Sequence, residues 1–321
     1  MENIIAKKSP AAARVNGNSK IAEKPEKGKR LEVLKTYKIY IGGKFPRTES
    51  GRYYVAANSA GEKLANMCLS SRKDFREAVV AARTAFGDWG SRHALNRGQI
   101  LYRMAEMLEG RKMQFIEELL KQDASRKLAE NEANLSIDRL IYYAGWCDKF
   151  QQIFSSVNPV ACSHFNFSAP EPTGVVSVIA PQNNSLIGLV SVIAPVIAGG
   201  NTCIALASYS KPLCAITFAE VLNSSDVPGG TVNILTGNPD ELLPYFSNHM
   251  DVNAVVYCEK DPAGRKVIHE NAALNLKRTV FYEDTNWNSK EVQSPYRIMD
   301  TQEIKTTWHP IENIGGAKAG Y

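Results

Sequence analysis

The chain has 321 residues, of which 44% are hydrophobic and 22% charged, the balance of a soluble globular protein. This composition excludes collagen, global disorder and a disulfide-stabilised scaffold. The longest apolar stretch, residues 186–200, is interrupted by Pro195 and falls short of the roughly twenty residues that cross a bilayer, so we expect no membrane helix. The cysteines form no C-x-x-C pair and no hydrophobic leader opens the chain, which predicts reduced thiols and a cytoplasmic location.

The positive net charge of +5 is concentrated at the start of the chain. Of 38 basic and 33 acidic residues overall, eight and three fall within residues 1–30, so the rest of the chain is neutral. A neutral body lacks the positive surface that nucleic-acid-binding domains carry, and we expect no nucleic-acid partner. Residues 1–34 are predicted to form a disordered basic tail or linker.

The first half after this tail, residues 35–149, reads as mainly helical. The run T-Y-K-I-Y-I-G-G-K-F at 36–45 alternates apolar and polar residues around a Gly-Gly turn, which predicts a hairpin and a small opening sheet. Ser71 and Asp74 then precede an apolar series with helical spacing that ends at Trp89. Further helical patterns cover 100–108, 115–120 and 135–146.

From residue 174 onwards, short apolar runs alternate with helical patterns. The strands are predicted at 175–180, 202–207, 231–236, 252–258 and 278–282. The helices are predicted at 186–198, 212–222, 240–246 and 263–274. Uninterrupted Val/Ile strands joined by helices predict a parallel sheet covered on both faces, and such sheets bind ligands beyond their carboxyl ends. Past Trp287 only residues 301–310 resemble a strand, and residues 315–321 look like a frayed end.

Common nucleotide and metal motifs are missing. No G-x-G-x-x-G follows the first strand of this half, and G-x-x-x-x-G-K-[S/T] occurs nowhere. The five histidines are far apart in the sequence and no cysteine or carboxylate cluster has metal-ligand spacing. The sequence therefore predicts no metal site.

Three consecutive blocks carry a family resemblance. They read G-V-V-S-V-I-A-P-Q-N-N-S-L at 174–186, I-A-P-V-I-A-G-G-N-T-C-I-A-L-A-S-Y-S-K-P-L at 193–213 and V-P-G-G-T-V-N-I-L-T-G at 227–237. Together with I-Y-I-G-G-K, A-F-x-x-W and Y-Y-A-G-W-C-D-K nearer the start, this succession resembles the aldehyde dehydrogenase superfamily over residues 37–280. The resemblance implies an α/β fold with a helical N-terminal part (35–149), an oligomerisation-type hairpin (150–172) and a Rossmann-like parallel sheet of about five strands (173–287).

The closing residues 288–321 are expected to be a short remnant, with the catalytic domain largely missing. N-L-K-R-T-V-F-Y-E-D-T-N-W followed by E-I-K-T-T-W-H-P is similar to the shortened second unit of the tandem family 16 aldehyde dehydrogenases. That similarity implies that the basic tail is an inter-unit linker and that the chain is a pseudoenzyme unit of an oxidoreductase family.

The resemblance assigns site positions residue by residue. The oxyanion-binding asparagine of the family falls on Asn183. The positions that line the family's NAD(P) site are Ala180, Pro181, Gln182, Leu206, Tyr209, Gly237 and Gly264. Leu206 replaces the ribose-binding lysine and Tyr209 the residue that shares its role, while Lys211 lies five positions further on. Glu259 replaces a glycine beside the pyrophosphate, where its charge opposes the phosphates. We therefore expect weakened NAD(P) binding.

The residues for covalent catalysis are replaced. The general-base glutamate of the family falls on Tyr282, and Glu283 is expected to point to the opposite face of its strand. The family nucleophile lies some thirty-odd residues further on, and this chain has no cysteine after Cys258. Cys258 is interpreted as a small buried residue, the alternative being an improvised nucleophile.

Three functions follow from these replacements. The first is a non-catalytic module for assembly or scaffolding, as a homo-oligomer or with a complete aldehyde dehydrogenase unit. The second is an active NAD(P)-dependent aldehyde oxidoreductase, and the third a binder of a nucleotide or aldehyde without turnover. Association is expected through the hairpin at 150–171, with its apolar Phe154, Val157, Val160, Phe165 and Phe167.

Overall fold

The structure, a computed structural model, describes residues 33–311. The predicted basic tail, apart from its last two residues, and the predicted frayed end at 315–321 lie outside the described residues. From residue 34 onwards the described chain forms one unit built on three β-sheets. No helix between residues 33 and 311 is both long and apolar enough to span a bilayer.

The opening sheet differs from the predicted hairpin. It is three-stranded in the order β1-β3-β2, and its strands are β1 (Thr36–Tyr37), β2 (Tyr53–Ala57) and β3 (Lys63–Cys68). The Gly42–Gly43 turn is present, with both glycines at positive φ. It closes a short hairpin, in which Ile41 and Lys44 exchange both backbone hydrogen bonds at 3.0 Å and the Ile39 N–H donates to the Pro46 carbonyl at 3.1 Å. Tyr40 also exchanges both backbone hydrogen bonds with Ile234, at 2.9 and 2.8 Å. The alternating run therefore folds back on itself at the glycines and also docks on the central sheet.

Five helices follow the opening sheet. They are α1 (Arg72–Ser91), α2 (Ala94–Gly110), α3 (Lys112–Lys121), α4 (Arg126–Ala144) and the short α5 (Phe150–Phe154). The predicted start of α1 is correct: Ser71 is the N-cap, and Asp74 completes a capping box by accepting from the Ser71 backbone N–H at 2.7 Å. Asp74 is buried and also binds Thr48 and Glu49. Its carboxylate thus ties the helix start to the preceding loop.

The central sheet confirms the predicted five-stranded parallel α/β arrangement. Its order is β10-β9-β6-β7-β8 and every pairing is parallel. The strands are β6 (Val175–Ile179), β7 (Thr202–Leu206), β8 (Val232–Leu235), β9 (Ala254–Tyr257) and β10 (Arg278–Phe281). The connecting helices are α6 (Ile187–Ala198), α7 (Leu213–Asn223), α8 (Pro239–Asn248) and α9 (Pro262–Ala272).

Alternate strand residues face two separate hydrophobic cores. On β6, Val176 and Val178 pack in the core that contains α6 and α7, with α2–α4 behind them. Val175 and Ile179 pack in the second core, with α1 and α8. Because both faces are covered, most positions of the sheet are apolar, which explains the Val/Ile-rich runs. The buried polar exceptions Ser177 and Asn233 donate hydrogen bonds to backbone carbonyls.

The predicted hairpin is part of a third, antiparallel sheet. Its order is β11-β5-β4, formed by β4 (Ser156–Asn158), β5 (His164–Pro172) and β11 (Gln302–Pro310). The predicted strand near 301–310 is therefore present, and it pairs with β5 along its whole length. Phe154 does not lie on the hairpin strands, because it ends α5 and its ring packs 5.2 Å from that of Tyr296.

A short closing segment, residues 282–301, connects the central sheet to β11. It contains a 3₁₀ turn (Lys290–Val292) and one helical turn, α10 (Tyr296–Met299). The fully buried Arg139 of α4 fastens it, donating to the carbonyls of Trp287 at 3.5 Å and Ser289 at 3.1 Å and to the Ser191 hydroxyl at 3.0 Å. The Trp287 side chain is only 2% exposed. The closing segment is thus an integral part of the core.

Trp287→Ala should lower the free energy of unfolding by about 3–5 kcal/mol, because it leaves a cavity where the closing segment meets the core. Urea denaturation followed by circular dichroism measures this loss, and Trp287→Phe should give a smaller one. The matched control is Trp308→Ala on β11, where the indole is 56% exposed and the change should stay within about 0.5 kcal/mol. Equal effects of the two alanine variants would contradict the proposed burial of Trp287.

Candidate functional site

The loops at the carboxyl ends of β6 and β9 enclose a cavity of about 590 Å³. This is the edge of a parallel sheet where ligands bind. The lining residues come from three segments: Gln182, Asn183, Cys258, Glu259, Lys260, Asp284, Thr285, Asn286 and Trp287. The cavity therefore lies between the loop after β6, the loop after β9 and the closing segment.

The loop after β6 is fixed by the side chain of Gln182. Its Nε2 donates to the Ala180 carbonyl at 2.9 Å, and its Oε1 accepts from the Tyr209 backbone N–H at 2.7 Å. The Ala180 N–H in turn donates to the Leu206 carbonyl at 3.0 Å. Gln182 therefore joins the loops that follow β6 and β7, and Pro181 beside it is buried.

Asn183 is one site residue that remains available to a ligand. It is exposed at the rim of the cavity, and its carbonyl accepts from Lys211 Nζ at 3.1 Å. Its side-chain amide has no hydrogen-bond partner within residues 33–311. That amide can donate to a carbonyl oxygen in the cavity, whereas Lys211 is turned towards the loop.

Glu259 closes the cavity from the β9 side. Its Oε1 accepts from the Gln182 backbone N–H at 2.8 Å, and burial raises the pKa of this carboxyl. The N–H that an anion would need is therefore already bound to a carboxylate. An incoming phosphate would meet a like charge and lose a donor at the same point.

The start of α9 is likewise occupied by the chain itself. Asp261 caps this helix by accepting from the N–H groups of Ala263 at 3.0 Å and Gly264 at 2.8 Å. A Cβ on Gly264 would lie 2.7 Å from the Tyr257 hydroxyl and 2.5 Å from Asp261 Oδ2. Gly264 is thus required for packing in this chain, and the helix N–H groups are not free for a phosphate.

The other predicted cofactor positions offer no charged group. Leu206 is fully buried, and Tyr209 is 38% exposed with its ring stacked on that of Tyr54 at 4.5 Å. Gly237 lies away from the cavity lining, and a Cβ there would be 3.2 Å from both the Ser70 nitrogen and Leu242. The structure brings Gln182, Asn183 and Glu259 together but does not bring Leu206 or Gly237 into the cavity.

Tyr282, at the expected general-base position, belongs to a half-buried network. Its hydroxyl donates to Asp300 Oδ2 at 2.6 Å, and the Arg297 guanidinium lies 4.0 Å from its ring centre. Arg297 also lies 5.1 Å from the Trp287 ring centre. Burial raises the pKa of Tyr282 well above its ordinary value, so the phenol stays protonated and cannot act as a base at neutral pH.

The two acidic residues after Tyr282 lie in ion pairs. Glu283 binds Arg265 of α9 at 2.9 Å and Asp284 binds Lys260 at 2.6 Å. Glu283 therefore points towards α9, whereas Tyr282 points towards the closing segment, and both residues lie beyond the end of β10 at Phe281. Sequence reasoning missed Arg297 and Asp300 because the closing segment has no periodicity. Its one recognisable signal was the isolated Trp287.

Cys258 lies in the cavity wall but is only 7% exposed. Burial raises the pKa of its thiol, which removes the thiolate that nucleophilic attack needs. All six cysteines are unpaired. Among residues 33–311 no group of His, Cys, Asp or Glu side chains could hold a metal ion.

Cys258 should react slowly with iodoacetamide because its thiol is buried and protonated. The internal control is Cys162, the one exposed cysteine, and mass spectrometry of peptides sampled over time gives both rates. Since the pKa of Cys258 is raised, its thiolate fraction at pH 8 is below that of an ordinary cysteine, whose pKa is about 8.5. Modification of Cys258 at the rate of Cys162 would show that the thiol is accessible and ionised.

The chain matches the aldehyde dehydrogenase family over residues 45–283. It is 31% identical over 256 residues to the cytosolic 10-formyltetrahydrofolate dehydrogenase of Mus musculus, which covers 78% of this chain and 28% of that protein. It is 32% identical over 261 residues to an aldehyde dehydrogenase of Enchytraeus buchholzi, covering 79% of this chain and 52% of that protein. The chain thus spans about half or less of these relatives.

The solved structures agree with this relationship. The NAD⁺ complex of the aldehyde dehydrogenase from Bacillus cereus superposes with a TM-score of 0.73 at 25% identity, over 78% of this chain and 51% of that chain. The chain belongs to the aldehyde dehydrogenase family.

Proposed function

We propose that the chain is a non-catalytic aldehyde dehydrogenase module that acts in assembly, either with itself or with a complete aldehyde dehydrogenase unit. The observation that carries this proposal is the closing segment. After Tyr282 the chain runs through Trp287 and Arg297 into β11, and its residues fill the place beside the cavity with buried internal contacts. No cysteine follows Cys258 within this sequence.

The loss of catalysis follows from the chemistry of the remaining groups. Covalent aldehyde oxidation needs a thiolate and a base, and removal of the nucleophile typically costs on the order of 10⁶ in rate. Here the candidate thiol, Cys258, is buried, and Tyr282 is a protonated phenol bound to Asp300. Asn183 alone can bind a carbonyl oxygen but supplies no bond-forming group.

The residues at the NAD(P) positions do not fit a dinucleotide. Glu259 accepts the hydrogen bond of the Gln182 N–H, and Asp261 accepts those of the first N–H groups of α9, so these donors are not free for phosphates. Leu206 has no side-chain donor for the ribose. We therefore infer weak or no NAD(P) binding, although a related solved structure contains NAD⁺. No step of the proposed function depends on a cofactor.

The assembly surface in this proposal is the sheet formed by β4, β5 and β11. One face carries the rings of Phe165 and Phe167, 5.6 Å apart, beside Val157, which is 68% exposed. β11 forms one edge of this sheet. Its nine residues have no second strand neighbour in the part of the chain that the structure describes. An apolar face with an open nine-residue edge is suited to pairing with another chain.

A second candidate function is binding without turnover. It is favoured by the 590 Å³ cavity and by the available amide of Asn183 at its rim. A small aldehyde fits this space better than a dinucleotide, because it needs no phosphate subsite. The cytoplasm is the proposed compartment for either function; one relative is described as cytosolic and another as mitochondrial.

Purified chain mixed with NAD or NADP and a panel of aldehydes should give no NAD(P)H above a heat-inactivated control. The reason is that Cys258, the thiol in the cavity lining, is buried and protonated. Absorbance at the reduced-cofactor band measures turnover, and calorimetric titration with the same cofactors tests binding separately. Turnover that disappears in Cys258→Ala would instead establish the improvised nucleophile.

Val157→Glu should abolish association of the chain, because it places a charge on the apolar face of the β4–β5–β11 sheet. Light scattering at about 10–50 μM, alone and after mixing with a complete aldehyde dehydrogenase of the same organism, measures assembly. The matched control is Val80→Glu, a valine 59% exposed on α1. A wild-type chain that stays monomeric under both conditions, or equal loss in both variants, would refute the assembly role.

A further inference from the structure

A second cavity, of about 450 Å³, lies between α1 and the end of α8. Six residues line it: Arg72, Phe75, Arg76, Tyr245, Asn248 and His249. It shares no lining residue with the cavity beside Asn183. Neither the family positions nor the proposed assembly sheet uses any of these side chains, so this cavity needs its own explanation.

Two arginines in this cavity have no anionic partner. Arg72 and Arg76 lie one helical turn apart on α1, and neither has a carboxylate within 4.0 Å among residues 33–311. Lys73, between them in sequence, is paired with Glu49 at 2.6 Å. The Arg72 guanidinium instead lies 5.6 Å from the ring centre of Tyr245. The two guanidinium groups are therefore available to an anion from outside.

A third cation stands behind the cavity. Lys277 is only 7% exposed, and its Nζ binds Asn275 Oδ1 at 2.7 Å with no carboxylate partner in the described chain. Asn275 donates to the Met250 carbonyl at 3.1 Å, directly after His249. Burial lowers the pKa of Lys277 to about 8. A buried ammonium without a counter-ion is costly unless a negative charge comes close.

The balance of charge at His249 is positive. After its burial, the charges of Lys277, Arg76 and Arg72 lower the pKa of His249, and only Asp251 opposes them. Asp251 is 61% exposed and lies 4.0 Å from Arg83, which offsets its charge. The cavity lining contains the guanidinium groups of Arg72 and Arg76 and no carboxylate, a pair of charges that a dianion would neutralise better than a monocarboxylate.

The walls of the cavity are aromatic. Phe75 stacks on Phe246 at 4.2 Å and meets the His249 ring edge-on at 6.0 Å. His249 Nδ1 accepts from the Asp251 N–H at 3.2 Å, so in the neutral ring the proton is on Nε2, which can donate. A volume of about 450 Å³ exceeds what a single phosphate fills and leaves room for a flat organic group.

We propose that the cavity between α1 and α8 binds the phosphate monoester of a small molecule with a flat organic group. Arg72 and Arg76 would hold the phosphate oxygens, since a guanidinium pairs with two of them at once. Tyr245 and Phe75 would contact the organic part. The proposed phosphate site and the proposed assembly sheet share no residues, so the test of one does not decide the other.

The test uses phenyl phosphate as the probe, with benzoate and inorganic phosphate for comparison. Titration followed by two-dimensional NMR of the full chain should show saturable shifts for Arg72, Arg76 and His249, with phenyl phosphate binding more tightly than benzoate or inorganic phosphate. Arg72→Gln and Arg76→Gln should each weaken phenyl phosphate binding by about tenfold, the value of one charged hydrogen-bonded contact. Lys73→Gln removes the same charge one position away and should leave binding unchanged.

The melting temperatures of Arg72→Gln and Arg76→Gln should equal that of the wild type, because both arginines are exposed and form no ion pair in the described chain. No saturable shift with phenyl phosphate at about 10 mM would overturn the proposal. So would an equal loss in Lys73→Gln, which would indicate nonspecific attraction. Equal affinity for benzoate and phenyl phosphate would also overturn it, since the proposed site requires a dianion.

Discussion

The architecture of this protein depends on one buried guanidinium. Arg139 is fully buried on α4 and has no carboxylate within 4.0 Å among the described residues, so its charge is balanced by oxygen acceptors from α6 and the closing segment. The hydrogen bonds of its two terminal nitrogens offset part of the cost of burying the charge, while its Nε has no partner among the described residues. Its hydrogen bonds therefore set the positions of α6 and Trp287 together, and Trp287 in turn supports the stack of Arg297 on Tyr282. A chain that ends its parallel sheet at β10 gains a closed core in this way.

Hydrogen bonds within the chain also occupy the polar groups in the segments that follow β9 and β10. Glu259 binds the Gln182 N–H, Asp261 binds the first turn of α9, and Tyr282 binds Asp300. Each of these groups lies in a segment that follows β9 or β10, and each has a partner within the chain. A site whose polar atoms are already paired gains little by binding a charged cofactor, because every new contact replaces an existing one.

The central sheet could be predicted from sequence because its signal is local. A strand buried on both faces is apolar at most positions, as at 175–180, where only Ser177 is polar, and Ser71 with Asp74 marks the start of α1 within four residues. The short Gly42–Gly43 hairpin could be predicted for the same reason, but the pairing of Tyr40 with Ile234 could not, because the two residues are far apart in sequence. The short β2 and β3 have mixed polarity and gave no pattern. The family roles that the resemblance assigns to Glu259 and Tyr282 stay predictions, and their partners Gln182 and Asp300 became known only from three-dimensional contacts.

The pairing of Tyr40 with Ile234 also affects how the central sheet meets solvent. A parallel sheet has two lateral edges whose backbone groups can recruit foreign strands. On the β8 side, Tyr40 and the Gly42 N–H, which donates to Asn233 Oδ1 at 2.9 Å, occupy that edge. On the opposite side, β10 is only four residues long and begins with the exposed Arg278. The β8 edge is thus covered by residues 40–42 of the same chain, and the β10 edge is short and carries a charge. Both features limit the pairing of foreign strands with the central sheet.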